Sequence, residues 1–131
     1  MGQEKQSDLN KARVVDFVNQ IWNQRNFENL TNLVADNFID HSQPHTCVKN
    51  REGVRLYLTH LEKYINHYSV IKKISSIDDL VIAKIFMQTS LVDQAENAQK
   101  METFEIIRMF KFKNAQIAEH WEIILSFQSN G

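Results

Sequence analysis

The sequence predicts an α+β domain in which helices pack on one face of a mainly antiparallel sheet. Up to about residue 67, apolar residues recur at three- and four-residue intervals, the spacing of amphipathic helices. From Tyr68 onward they recur at two-residue intervals, the spacing of strands. Helices followed by strands are typical of α+β folds, and 131 residues suffice for one domain with its own core.

Three helices are expected first. Residues 8–25 form an amphipathic helix, with Ser7 or Asp8 as its N-cap. Its apolar stripe consists of Val14, Val15, Val18, Ile21 and Trp22. Residues 28–35 form a short second helix, and residues 36–44 are an extended piece that enters a loop containing proline. Residues 51–67 form the third helix, capped by Asn50, with the stripe Val54, Tyr57, Leu58, Leu61, Tyr64 and Ile65.

Four strands complete the predicted domain, at residues 69–76, 80–91, 101–113 and 116–127. Asp78-Asp79 and a polar loop at residues 93–100 connect them. From Leu80 onward, apolar residues occupy both faces of the strands. A small domain cannot bury both faces of its sheet, so the pattern predicts a homodimer packed sheet against sheet.

Composition argues against several functions. The chain has 15 basic and 16 acidic residues and no basic stripe, which argues against nucleic-acid binding. No stretch reaches the length of a membrane span, and the three glycines form no phosphate-binding loop. The single cysteine, Cys47, cannot form a disulfide within the chain, which favours a cytoplasmic location.

The last predicted strand is the strongest candidate for chemistry. It places Glu, His, Trp and Glu at consecutive positions 119–122 of a run rich in β-branched residues. Because successive strand side chains point to opposite faces, His120 and Glu122 share one face, while Glu119 and Trp121 share the other. An antiparallel sheet with one solvated face explains the same pattern without a site.

Four segments in order resemble the SnoaL-like polyketide cyclase group of the nuclear-transport-factor-2-like superfamily. They are Trp22-Asn23, residues 35–42 (ADNFIDHS), residues 51–54 (REGV) and residues 110–122 (FKFKNAQIAEHWE). The resemblance runs over nearly the whole chain, so a single domain of this kind is expected over residues 1–131. It implies a cone-shaped α+β barrel around an apolar cavity, dimerisation through the outer face of the sheet, and chemistry without a cofactor.

The resemblance also implies roles for two residues. The carboxylate that serves these cyclases as general acid/base in an intramolecular aldol ring closure corresponds to Glu122, where Asp is usual. Their assisting histidine, on the preceding strand, corresponds to Arg108. An arginine stays charged at neutral pH, so it can clamp a carboxylate or stabilise an enolate-like oxygen but cannot shuttle a proton. The aldol reaction therefore does not transfer to this chain as it stands.

The candidate site combines these positions with others predicted to face the cavity. The candidate catalytic residues are Glu122, Arg108, His120, Asp40 and His41. The candidate ligand-binding residues are Phe110, Ile106, Trp22 and Tyr57. Each has a purely structural alternative: a cross-strand ion pair for Arg108 and Glu122, a backbone hydrogen bond for His120, local turn bonds for Asp40, and packing for the aromatic residues.

No metal site is expected. His41 and His45 have a spacing found in metal sites, but they lie on a loop with Pro44 rather than on a helix. Two functions stay open. One is binding of a small apolar ligand with a hydroxyl or carbonyl group, without a reaction. The other is a cofactor-independent cyclase, isomerase or dehydratase that uses Glu122 as general acid/base.

The connection between the last two strands decides whether a site can form. A two-residue loop at Asn114-Ala115 would place Arg108 opposite Trp121 and leave Glu122 on the other face. A three-residue loop, residues 113–115, would place Arg108 opposite His120 with Glu122 diagonal to it. We expect the longer loop, with a left-handed backbone at Ala115, where proteins of the resembled group usually carry glycine.

Overall fold

The computed structural model describes residues 2–42, 49–92 and 100–130. The helical part begins with α1, which continues into a π-helical segment, and then a 3₁₀ turn leads into a single-turn helix, α2. The elements are α1 (Gly2–Asp16), the π-helical segment (Phe17–Asn23), the 3₁₀ turn (Phe27–Asn29), α2 (Leu30–Leu33), β1 (Val34–Asp40), α3 (Arg51–Leu61), β2 (Ile65–Ile77), β3 (Leu80–Leu91), β4 (Met101–Lys113) and β5 (Gln116–Asn130).

The five strands form one mixed sheet in the order β1-β5-β4-β3-β2. β1 runs parallel to β5, and all other neighbours are antiparallel. The predicted α+β class is confirmed. The sheet is open, with β1 and β2 at its edges, rather than closed into a barrel. The core lies between the helices and the inner face of the sheet. It includes Val14, Ile21, Leu58, Val81, Ile85, Phe110 and Ile117.

The helix boundaries differ from the prediction. α1 begins at Gly2 rather than after a cap at Ser7 or Asp8, because residues 3–6 favour helix and need no apolar stripe to extend it. α2 covers only part of the predicted 28–35, since Val34 already pairs with Ile117 as strand.

The third helix is shorter than predicted. α3 ends at Leu61 rather than His67, because the chain from Ile65 onward pairs with β3. Its predicted cap is confirmed, since the side chain of Asn50 accepts a hydrogen bond from the backbone N–H of Gly53 at 3.0 Å.

The strands follow the two-residue period closely. The bounds of β3 and β4 match the prediction, whereas β2 begins earlier and β5 ends later. Asp78-Asp79 forms the predicted turn. Pro44, His45, Cys47 and most of the predicted 93–100 loop lie outside the described residues. None of the described helices is long and apolar enough to cross a membrane.

The prediction of a three-residue loop between β4 and β5 is wrong. Lys113 pairs with Gln116 around a two-residue turn, in which Asn114 has φ 51° and Ala115 has φ 65°. The predicted left-handed Ala115 is confirmed, because a tight hairpin turn of this kind needs positive φ at both central residues.

A β-bulge replaces the longer loop in setting the register. Phe112 pairs with Ile117, but Lys111 pairs with Glu119, so Ala118 is an extra residue in β5. Beyond the bulge, Arg108 lies opposite Glu122, and His120 lies opposite Phe110 rather than Arg108.

Candidate functional site

Four ionisable side chains lie in a line on the inner face of the sheet. We call Asp40, His120, Arg108 and Glu122 the inner polar row. His120 Nδ1 lies 2.9 Å from Asp40 Oδ1, and His120 Nε2 lies 3.3 Å from Arg108 Nη1. Arg108 Nη1 lies 2.8 Å from Glu122 Oε2. The row therefore begins and ends in a carboxylate.

Strand register explains how these side chains meet. Asp40, the last residue of β1, pairs with His120 across the parallel β1–β5 ladder. Arg108 and Glu122 are direct cross-strand partners in the β4–β5 ladder, so they share a face. The backbone N–H of His41 donates to the carbonyl of His120 at 2.9 Å, which holds the end of β1 against β5.

Only one end of the inner polar row reaches solvent. The side chains of Arg108, His120 and Asp40 are 3%, 4% and 8% exposed, whereas that of Glu122 is 25% exposed. A buried charge costs several kcal/mol unless it is paired and hydrogen-bonded. The alternation of carboxylates with a histidine and an arginine meets that requirement.

Asp40 is held as a carboxylate. Burial raises its pKa, but hydrogen bonds from His120 and Ser42 outweigh burial and lower the pKa to about 2. Ser42 donates to Asp40 Oδ1 twice, from its backbone N–H at 3.0 Å and from its hydroxyl at 2.5 Å. A carboxylate only accepts hydrogen bonds, so Nδ1 of His120 is the protonated nitrogen.

His120 is a neutral imidazole by the same reasoning. Arg108 only donates, so Nε2 of His120 accepts from it and carries no proton. Burial lowers the pKa of His120, and the charge of Arg108 lowers it further against the raising effect of Asp40. His120 therefore links Asp40 to Arg108 through its two ring nitrogens and adds no charge of its own.

Arg108 is fixed in position by an aromatic ring. Its Cζ lies 4.2 Å from the centre of the Trp22 ring, the geometry of a cation–π contact. Burial lowers the pKa of Arg108, while the charges of Glu122 and Asp40 raise it, and an arginine remains charged under such conditions. Tyr57 packs beside Trp22, with ring centres 6.3 Å apart.

Two of the candidate ligand-binding residues, Phe110 and Ile106, lie beside the inner polar row. Phe110 and Ile106 are fully buried on the same face as Arg108, and the Phe110 ring lies 4.9 Å from that of His120. Beyond Glu122 the same face becomes exposed. Ile124 lies opposite Ile106 and is 54% exposed, and Phe127 packs on Phe104 and is 52% exposed.

His41 does not join the inner polar row. Its ring lies 4.9 Å from that of Trp121 and nearly parallel to it, and its Nε2 lies 2.9 Å from Glu119 Oε1. Glu119 and Trp121 lie on the outer face, as the alternation along β5 predicts. The structure thus brings together Asp40, His120, Arg108 and Glu122, and places the side chain of His41 on the opposite side of the sheet.

Sequence reasoning missed three polar residues near the site. Ser42 follows Asp40 by two positions, a spacing that favours a local hydrogen bond to an aspartate. His67 and Ser69 lie on the inner face of β2, and only their alternation along the strand could have indicated it. The described residues include no group of three or more His, Cys, Asp or Glu that could hold a metal ion.

Two grooves on the described part of the chain lie elsewhere. One of ≈ 750 Å³ is lined by polar residues of α1 and by the β2–β3 and β4–β5 turns. The other, of ≈ 330 Å³, lies at the start of α3. No member of the inner polar row lines either groove.

Comparison with known proteins gives a consistent assignment. The family model described as SnoaL-like polyketide cyclase matches residues 12–125. A SnoaL-like polyketide cyclase from Agrobacterium tumefaciens has TM-score 0.69 and 16% identity, covering 86% of this chain and 87% of that one. An LEH-like epoxide hydrolase from M. tuberculosis has TM-score 0.72 and 10% identity, covering 90% and 84%. TsrD from Streptomyces laurentii has TM-score 0.72 and 12% identity, covering 87% and 86%.

These findings define the class of protein. A search of curated proteins finds no match. At such identities the structural likeness shows a shared nuclear-transport-factor-2-like fold, while the family model covers most of the chain. The chain belongs to the SnoaL-like polyketide cyclase family.

Proposed function

We propose that this protein binds a small organic molecule with an apolar body and a hydroxyl or carbonyl group, which contacts Glu122 and Arg108. The observation that supports this is the exposure gradient along the inner polar row. Its one solvent-accessible member, Glu122, adjoins exposed apolar side chains on the same face, Ile124 and Phe127. A polar group next to an apolar surface is the usual composition of a small-molecule site.

Stability alone gives little reason to keep such a row. Replacing buried ion pairs by apolar residues of similar volume is often neutral or stabilising. Ligand recognition supplies a reason. A ligand hydroxyl can donate to the carboxylate of Glu122, and a ligand carbonyl can accept from the guanidinium of Arg108.

The test uses 2-naphthol, an apolar bicyclic ring with one hydroxyl. In an NMR titration of the isotope-labelled protein, adding 2-naphthol should shift the resonances of Glu122 and its neighbours. Glu122→Gln should weaken binding by up to about tenfold, as expected when a hydrogen bond to a charged acceptor is lost. Glu119→Gln, a matched change on the outer face of the same strand, should leave the affinity unchanged. Equal affinities for the wild type and Glu122→Gln would contradict the proposal.

A second candidate function is proton transfer by Glu122. The inner polar row favours it, because the carboxylate of Glu122 lies beside the guanidinium of Arg108, which contacts His120, and His120 is in turn oriented by Asp40. Glu122 would remove a proton next to a carbonyl, and Arg108 would stabilise the enolate oxygen that forms. Polyketide cyclases and an epoxide hydrolase-like protein share the fold, which supports acid–base chemistry on small molecules.

Deuterium exchange separates this candidate from simple binding. In D₂O, an active enzyme should catalyse incorporation of deuterium next to the carbonyl of 2-tetralone. Mass spectrometry measures the incorporated deuterium. Glu122→Gln should abolish the catalysed exchange while keeping affinity within about tenfold, and Glu119→Gln should retain it. Exchange at the buffer rate with the wild type would contradict the enzymatic function and leave binding in place.

The expected homodimer is part of the proposal. The outer face of the sheet exposes apolar side chains, including Tyr68, Val70 and Ile123. Packing these faces together would bury them, as the family resemblance also implies. The cytoplasmic location expected from the single cysteine stays a prediction.

A further inference from the structure

Two buried polar atoms on β2 have no hydrogen-bond partner among the described residues: Nδ1 of His67 and Oγ of Ser69. The His67 side chain is 0% exposed, and Ser69 is 3% exposed. They are two positions apart on one strand, so both side chains lie on the inner face. Buried polar atoms without partners are rare, because a polar group that loses its bonds to water and gains none in the protein destabilises the fold.

The backbone of Ser69 is fixed by Asn23, whereas its hydroxyl has no hydrogen-bond partner among the described residues. The side chain of Asn23 forms hydrogen bonds with both backbone polar groups of Ser69. Its side-chain amide donates to the Ser69 carbonyl at 2.8 Å, and its oxygen accepts from the Ser69 N–H at 2.8 Å. This reciprocal pair covers edge strand β2 and fixes the backbone there. The hydroxyl of Ser69 points inward from a rigid position.

The neighbours of His67 indicate which tautomer its neutral ring adopts. Nε2 of His67 lies 2.9 Å from Glu62 Oε2, and the same carboxylate forms an ion pair with Arg25. A carboxylate paired with arginine is ionised and only accepts, so Nε2 carries a proton. In the neutral ring, Nδ1 is then a bare acceptor that requires a donor.

Trp22 connects this pair to the inner polar row. Its ring centre lies 5.7 Å from that of His67 and 4.2 Å from Cζ of Arg108. The two distances keep the His67 ring within about 10 Å of the guanidinium. Ser69 also lies in the same cross-strand row as Met87 and Phe104, and Phe104 packs on Phe127. One aromatic and apolar surface therefore separates the two polar clusters.

We infer that His67 and Ser69 form a second polar subsite that binds a hydroxyl group at the far end of the ligand proposed above. A hydroxyl satisfies both atoms at once, because it can donate to Nδ1 of His67 and accept from the hydroxyl of Ser69. A carbonyl cannot donate and leaves Nδ1 without a partner. The inference rests on the proposed function and narrows its ligand to an apolar ring system with oxygen functions at both ends.

The test compares 2-naphthol with 2,6-dihydroxynaphthalene, which carries a second hydroxyl at the opposite end of the same rings. The wild type should bind the diol about tenfold more tightly than 2-naphthol. The symmetry of the diol alone would give only about a twofold advantage. Ser69→Ala should reduce that gain to about twofold. Ser75→Ala, at an exposed position of the same strand, should keep the full gain.

Folding does not confound the comparison. Ser69→Ala removes a buried hydroxyl that has no partner, so the variant should be at least as stable as the wild type. His67→Phe should also reduce the gain, provided that circular dichroism shows it folded. If the diol and 2-naphthol bind the wild type equally, or if neither binds, the subsite is refuted. The first result leaves the proposed function intact when Glu122→Gln still weakens binding, whereas the second refutes both.

Discussion

Asp40→Asn measures the contribution of a buried charge to stability. The pKa of Asp40 is lowered from 3.8 to about 2 in the folded protein. A carboxyl whose pKa is lower in the folded than in the unfolded state stabilises the fold when ionised. This shift corresponds to about 2 kcal/mol at pH 7. Asparagine keeps the shape and can still accept a hydrogen bond from His120, but it cannot carry the charge.

The sign of the pH dependence follows from the same shift. The contribution is fully present above the unfolded pKa of 3.8 and is lost as pH falls through about 2. Asp40→Asn should therefore lower the free energy of unfolding by about 2 kcal/mol at pH 7 and by about half as much at pH 3. Urea denaturation at the two pH values measures both quantities.

A matched control is available on the same strand. Asp36 is exposed, so Asp36→Asn should change the free energy of unfolding by less than about 0.5 kcal/mol at either pH. A loss in Asp40→Asn that is equal at pH 7 and pH 3 would show that the effect is structural rather than electrostatic, and would refute the reasoning.

Three further predictions concern the turn, the buried arginine and the outer face. Ala115→Gly should stabilise the protein by roughly 1 kcal/mol in urea denaturation, because φ is 65° there; an unchanged or lower value would contradict this. Arg108→Met should destabilise it by roughly 3–5 kcal/mol by leaving Glu122 without its partner, and adding Glu122→Gln should restore part of the loss; no recovery would argue against the ion pair. Light scattering should show a wild-type dimer and a monomeric Ile123→Lys variant, and a monomeric wild type would exclude sheet-to-sheet assembly.

The sequence predicted the parts of the fold that depend on local period. The bounds of β3 and β4 and the cap at Asn50 follow from side-chain alternation and cap chemistry. The end of α3 could not be predicted in the same way. Tyr64 and Ile65 continue the helical stripe, and only pairing with β3 makes Ile65 the first residue of a strand.

The site was predictable in its composition but not in its connections. Alternation along β5 places His120 and Glu122 on one face, and the structure confirms that placement. The partner of His120 depends on β1 lying parallel to β5, a long-range pairing that no local pattern specifies. The same pairing decides that Asp40 joins the inner polar row while the side chain of His41, one residue later, lies outside it.

The bulge at Ala118 allows a two-residue turn and this site to occur together. If Ala118 instead paired in a regular ladder, the register of the turn would continue along β5, so Trp121 rather than Glu122 would lie opposite Arg108. Glu119 and Trp121 would then face the core, and His120 and Glu122 would face outward. Because the bulge supplies one extra residue, a homologous sequence with one residue fewer between the turn and His120 can keep the same site in a regular ladder, whereas a sequence of this length needs the bulge.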